Sequence, residues 1–190
     1  MPSRKHLPKH FFARDADTVA RALIGTTLTV GGVGGIIVET ESYDSTDPAS
    51  HAFERRQTGR NAVMFGAPGH AYVYRIYGMH WCLNFVCADV SAVLIRALEP
   101  RLGTAKMQAR RGTEVERLLC SGPGRLCQAL GISDAQNGKA LTAPPFALYR
   151  ATGTAEISVG PRIGLTKAVD LQRRFGLARS PFLSQRFPKA

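Results

Sequence analysis

The sequence predicts a single α+β domain: a mostly antiparallel, curved sheet flanked by helices, with one β-hairpin protruding from it. Three observations lead there. The chain has 190 residues, enough for one sizeable core and too few for two. Strand-like runs bunch in its middle, with helical spacing before and after them. The run Ala71–Tyr77, Gly78-Met79-His80, Trp81–Cys87 reads as strand, tight tip, strand.

The elements follow in order. Asp15 can cap a first helix, because Ala16, Val19, Ala20 and Leu23 recur at i, i+3, i+4 and i+7 and Gly25 suits the stop. Thr26–Val30 is a short strand. Gly31, Gly32, Gly34 and Gly35 bracket Val33 and read as a hairpin turn. A phosphate loop is the sharper reading of these glycines, but no Lys-Ser/Thr follows and the next element is a strand. Residues 44–70 are rich in Asp, Ser, Pro and Gly without periodicity, which predicts a long loop of functional kind. After the hairpin, Ala92–Leu98 is a strand closed by Glu99-Pro100. Residues 104–119 and 125–131 look helical, and 139–160 holds room for short strands. From Gly160 onward there are seven Lys/Arg and one Asp, so residues 170–190 read as a basic C-terminal tail on a single domain spanning 1–190.

Lys and Arg number 25 against 14 acids, a formal charge of +11. Such an excess in a small domain points to a polyanionic partner, nucleic acid above all. No run of 18 apolar residues is present, so no membrane span is expected, and the N-terminus lacks the apolar core of a secretory signal. Cys82, Cys87, Cys120 and Cys127 form no zinc template and are expected as reduced, buried thiols.

The chemistry concentrates in a few places. In Ile36–Tyr43, IIVETESY, the alternation of a strand puts Glu39, Glu41 and Tyr43 on one face. Two carboxylates on a buried strand need a cation opposite. Arg96, inside an apolar strand, needs an anion in turn, since burying it unpaired costs several kcal/mol. Arg96 is therefore expected to face Glu39 or Glu41. On the hairpin, Tyr72, Tyr74 and Ile76 point one way and Val73, Arg75 and Tyr77 the other. Tyr77 at the tip has the form of a wedge that enters a groove and unstacks bases. His51 lies in the long loop, and Asn84 is a polar residue in a buried strand, in need of partners.

Several of these stretches belong together. VETESY at 38–43, DPASHA at 47–52, GRNAVMFG at 59–66, YVYRIYGMHWCLN at 72–84, VLIRALEP at 93–100 and SGPGRLCQAL at 121–130 resemble the alkyladenine (3-methyladenine) DNA glycosylases. FFARDADTVARALIG near the N-terminus and GPRIGLTKA at 160–168 extend the resemblance over nearly the whole chain. It implies a monofunctional glycosylase that hydrolyses the N-glycosidic bond of flipped-out alkylated or deaminated purines in duplex DNA. Glu41 would position and deprotonate the water and Arg96 would stand beside it, leaving Glu39 structural. Tyr43, His51 and Tyr74 would sandwich the extruded base, Asn84 would floor the pocket, and Tyr77 would fill the gap in the duplex. The resemblance also implies no metal or organic cofactor. A monomer in the cytoplasm or nucleoid, or the nucleus if the source is eukaryotic, is the default expectation. A non-catalytic DNA-binding module and a nucleosidase acting on free nucleosides are the alternatives. Two departures stand out: Ser45 where the family usually has Gly, and Asp170–Phe175 where many relatives have a Pro-Trp-Arg-Phe run.

Overall fold

Strands β2 (Val33–Tyr43) and β5 (Ser91–Leu102) pair antiparallel and form the spine of the computed structural model, which describes residues 5–188. The sheet has eight strands, all antiparallel. β3 (Ala71–Ile76), β4 (His80–Cys87), β5, β2, β1 (Thr27–Val30) and β6 (Phe146–Tyr149) lie side by side in that order. β1 covers only the first part of β2's free edge. The rest is taken by β8 (Arg174–Leu177), which pairs Glu39 with Gly176 and Glu41 with Arg174 and carries β7 (Ile157–Gly160) outside it. The basic C-terminal stretch thus contributes a strand to the sheet, and Phe175 is fully buried in the core.

The β1–β2 turn needs only two residues. Gly31 and Gly32 have φ of 56° and 79°, as the tight hairpin turn that suits twisted strands requires. Gly34 and Gly35 belong to β2 itself, where neighbouring backbone runs so close that a Cβ on Gly35 would lie 1.9 Å from the Glu99 carbonyl oxygen. The β2–β5 register shifts between Ile37 and Glu39 and again between Glu39 and Thr40. Such bulges curve a sheet and re-aim side chains. Here they bring Glu39 and Glu41 onto one residue of β5, Arg96. β5 continues through Glu99-Pro100 to Leu102.

One face of the sheet is closed by helices. α1 (Ala16–Leu23) is capped by Asp15, which accepts the Thr18 N–H at 2.8 Å, and buries Val19, Ala20 and Leu23. The stretch expected to be helical over 104–119 divides into α2 (Thr104–Arg111) and α3 (Glu116–Leu119), because Gly112 takes φ 64° and ends the first. α4 (Pro123–Leu130) opens on proline and packs on β4 and β5. Phe12, Ile37, Phe85, Ile95, Leu98 and Leu126 are fully buried between helices and sheet. The alternate strand positions Tyr72, Val86 and Ala92 face the other way and join Ala52 and Met64 in a second, smaller cluster under the 44–70 loop. All four cysteines are buried free thiols. Among the described residues no helix is long and apolar enough to cross a membrane.

The β3–β4 hairpin runs past the edge of this core. At its tip Tyr77 takes φ 52°, a strained value for a tyrosine, and leaves 81 % of its surface exposed.

Candidate active site

A single guanidinium answers both carboxylates of β2. Arg96 Nε lies 3.1 Å from Glu39 Oε1, and Arg96 Nη1 lies 3.2 Å from Glu41 Oε1. Burial opposes the charge on Arg96, but the attraction of Glu41 and then Glu39 outweighs it, and its pKa is raised.

The two carboxylates differ in what else surrounds them. Glu39 faces Arg174 Nε at 3.1 Å and accepts the Ser184 hydroxyl at 2.8 Å and the Ser184 N–H. It is fully buried and is not among the residues that line the cavity beside Glu41. Glu41 is equally buried, but it forms part of the wall of a cavity of about 280 Å³ together with Arg96, Tyr77 and His80. Its Oε1 accepts the Ile163 N–H at 2.9 Å, and its Oε2 accepts the Tyr43 hydroxyl at 2.7 Å. A carboxylate oxygen can accept two such bonds, so Oε2 retains an acceptor site beside the cavity. Burial, and then the charge of Glu41, hold the Tyr43 pKa far above its ordinary value; the hydroxyl stays protonated and keeps donating.

A second cavity, of about 130 Å³, adjoins the first and shares Tyr43, Tyr74, Ile76 and Leu165 with it. Its walls are aromatic and its floor is built from Tyr72, Asn84 and Met64. His51 and Tyr74 pack edge to face with ring centroids 4.5 Å apart, too close to admit anything between them. They form one wall together, and Tyr43 belongs to the rest of the enclosure. Asn84 is buried and donates to the Tyr72 carbonyl at 3.1 Å. His51 stands at the mouth. The protein behind its ring withdraws water and Arg60 adds like charge, and both lower its pKa, so it is neutral at pH 7. Its Nδ1 is 2.9 Å from the Tyr72 hydroxyl.

The loop holding His51 is fastened at two points. Asn61 donates to the His51 carbonyl at 2.7 Å and to the Arg56 carbonyl at 2.9 Å. Asp47 is paired with the buried Arg162, which also donates to the Ser42 carbonyl at 3.0 Å and stacks 4.5 Å from the Tyr43 ring centroid. Arg162 therefore ties the loop, the aromatic wall and the segment that gives its Ile163 N–H to Glu41.

Glu41, Arg96, Tyr43, His51, Tyr74, Asn84 and Tyr77 all lie on these two adjoining cavities. Sequence reasoning missed Tyr72, Arg162, Ile163 and Ser184. The strand alternation that aligns Tyr72 with Tyr74 could have found the first. Ile163 acts through its backbone, which no side-chain pattern announces.

A family model for methylpurine-DNA glycosylase matches residues 10–181. A protein of Rhodopseudomonas palustris (strain HaA2) is 59 % identical over 184 residues, covering 95 % of this chain and 91 % of its own length. One from Nitrobacter winogradskyi is 58 % identical, covering 98 % and 90 %, and one from Agrobacterium fabrum is 58 % identical, covering 95 % and 93 %. All three carry the provisional name 3-methyladenine DNA glycosylase. With a carboxylate beside an aromatic-walled double cavity, and a match that runs from before α1 to beyond β8, the chain belongs to the methylpurine-DNA glycosylase family and is a DNA glycosylase, a hydrolase of DNA repair.

Proposed function

We propose that the chain hydrolyses the N-glycosidic bond of alkylated or deaminated purines that have been rotated out of duplex DNA, with Glu41 as general base. The observation that carries this reading is the position of the Glu41 carboxylate, buried against Arg96 yet on the wall of a cavity that adjoins an aromatic pocket. A target base inside the stack is out of reach, so the nucleotide is flipped, and a lesion that pairs poorly flips at lower cost. Tyr77 enters the vacated space. The base stacks in the Tyr43, His51 and Tyr74 pocket, where each base–aromatic contact is worth ~1–3 kcal/mol.

Alkylation at N3 or N7 gives the purine a positive charge and makes it a good leaving group. The remaining need is an oriented water and negative charge near the electron-poor sugar carbon. Glu41 accepts the water's proton through Oε2 and opposes the charge of the oxocarbenium-like transition state. Arg96 and the Ile163 N–H hold the carboxylate in place, and Asn84 on the floor excludes purines with a 2-amino group. Among the described residues no lysine lines either cavity, and the reaction is expected to run without a Schiff base.

The test is incubation with duplexes that each hold one defined lesion, scored for free base and abasic sites, with borohydride present in parallel. Base release with no trapped adduct is expected. Binding without release would leave a non-catalytic DNA-binding module, and release from free nucleosides alone would leave a nucleosidase.

A further inference from the structure

Tyr43 and Tyr74 both line the aromatic cavity, and each has a guanidinium against its ring. Arg162 lies 4.5 Å from the Tyr43 centroid and Arg60 lies 5.0 Å from that of Tyr74. Neither arginine is among the residues that line the cavity, and Arg60 also reaches toward the Tyr72 hydroxyl. The two cations differ in how they are compensated. Arg162 is buried and paired with Asp47, so the Tyr43 ring meets an ion pair. Arg60 is exposed, donates from Nη2 to the Arg75 carbonyl at 2.9 Å, and pairs with no carboxylate among the described residues.

The charge of Arg60 reaches across the whole wall. After burial, it is the second reason that the His51 pKa is low. At Tyr72, where burial pushes the hydroxyl up to about 12, Arg60 works in the opposite direction. An aromatic face attracts a cation through its quadrupole. A cation already fixed on one face repels another approaching the opposite face. Between Arg60 and a base stacked on the inner face of Tyr74 the separation is about one screening length of physiological salt, roughly 8 Å, so the repulsion survives. A neutral base does not feel it.

We propose that Arg60 is a specificity-determining residue: packed on the Tyr74 ring without a counter-charge, it handicaps cationic purines and shifts selection toward neutral modified purines. This rests on the reading of the aromatic cavity as the site of the flipped base. It assigns opposite tendencies to the two halves of the pocket. The aromatic faces favour a charged lesion, and the cation packed on one of the rings moderates that preference, which broadens the range of bases accepted.

The experiment compares single-turnover base release from a duplex with 3-methyladenine, which is positively charged and has no 2-amino group, and one with hypoxanthine, which is neutral. The unaltered chain, Arg60→Gln and Arg60→Lys are measured on both. Arg60→Gln is expected to raise the cationic-to-neutral ratio of kcat/KM by roughly three- to tenfold, while Arg60→Lys, which keeps the charge, stays near the unaltered ratio. The His51 titration midpoint, read by NMR without DNA, is expected to rise in Arg60→Gln. Release of both bases with an unchanged ratio overturns the proposal alone. A loss shared equally by both duplexes marks Arg60 as a phosphate contact and also overturns it, as does an unmoved His51 midpoint. Failure of the unaltered chain to release either base overturns the glycosylase reading, and this proposal with it.

Discussion

The sealed end of β2 around Glu39 and the open end around Glu41 are two residues apart, share Arg96, and contain carboxylates of equal burial. They differ in what completes each cluster. Around Glu39 the chain supplies Arg174 from β8 and both the N–H and hydroxyl of Ser184, and Glu39 lies on neither of the two adjoining cavities. Around Glu41 it supplies one backbone N–H and one tyrosine hydroxyl, and the remaining side is cavity. Burial and pairing with Arg96 are common to both ends, and only the direction left unfilled separates them; the proposal of Glu41 as the base rests on that direction.

The largest expected effect is that of Glu41→Gln. Gln keeps the shape and an acceptor but cannot take a proton, so base release should fall by about 10²–10⁴-fold, with binding to lesion-containing duplex retained. Single-turnover release and a gel-shift titration measure the two. Near-normal release would remove Glu41 as the base and erase the distinction between the two ends.

Glu39→Gln should act on stability in place of catalysis. It leaves Arg96 and Arg174 buried against a single remaining carboxylate. Breaking a buried pair in this way costs about 3–5 kcal/mol, or on the order of 6–20 °C in Tm for a chain of this size. Thermal unfolding should show that loss, and the protein that remains folded should still release base. If Glu39→Gln instead unfolds like the unaltered chain but releases no base, the roles are reversed.

The legibility of the two ends differs for the same reason. The IIVETESY pattern shows that Glu39 and Glu41 share a face, and Arg96 in its apolar strand shows that something cationic meets them. The helix-covered face was readable too, since Asp15, Val19, Ala20 and Leu23 carry both the cap and the spacing of α1. Residues 170–190 were not. They read as a basic tail because Arg173, Arg174, Arg179 and Arg186 outweigh their apolar neighbours. Yet β8 is specified by what lies opposite: Arg174 is drawn to Glu39, and Phe175 fills the core. A strand of four residues whose charges are neutralised more than a hundred positions away has no local signature. Arg162 has the same history, since its partner Asp47 is in another loop.

At the open end, Tyr77→Ala is the next largest change. The side chain is 81 % exposed and holds nothing in the folded protein, so Tm should move by no more than about 0.5 kcal/mol in equivalent stability. Flipping, followed by 2-aminopurine fluorescence beside the lesion, should weaken several-fold more than binding to undamaged duplex. Equal fluorescence in both proteins would sink the wedge.

The smallest expected effect is that of pH on His51. Its pKa lies below the ordinary 6.5, chiefly because of burial and secondarily because of Arg60. The ring thus takes up its proton at a lower pH in the folded protein than in the unfolded chain. The fold favours the neutral form, so the stability it contributes is fully present above pH 6.5 and is lost as the pH falls toward the lowered value. In the pocket the same protonation would place a positive charge against a cationic base. Binding of a 3-methyladenine duplex by Glu41→Gln protein, in which base release is expected to be slow, should weaken by up to about fivefold as His51 titrates, the size of a unit-charge repulsion at contact in water. A hypoxanthine duplex should show little of this step, and the doubly substituted Glu41→Gln, His51→Gln protein none of it. An acid limb that persists without His51 would have to come from elsewhere in the open end, and the wall formed by His51 and Tyr74 would then be no more than packing.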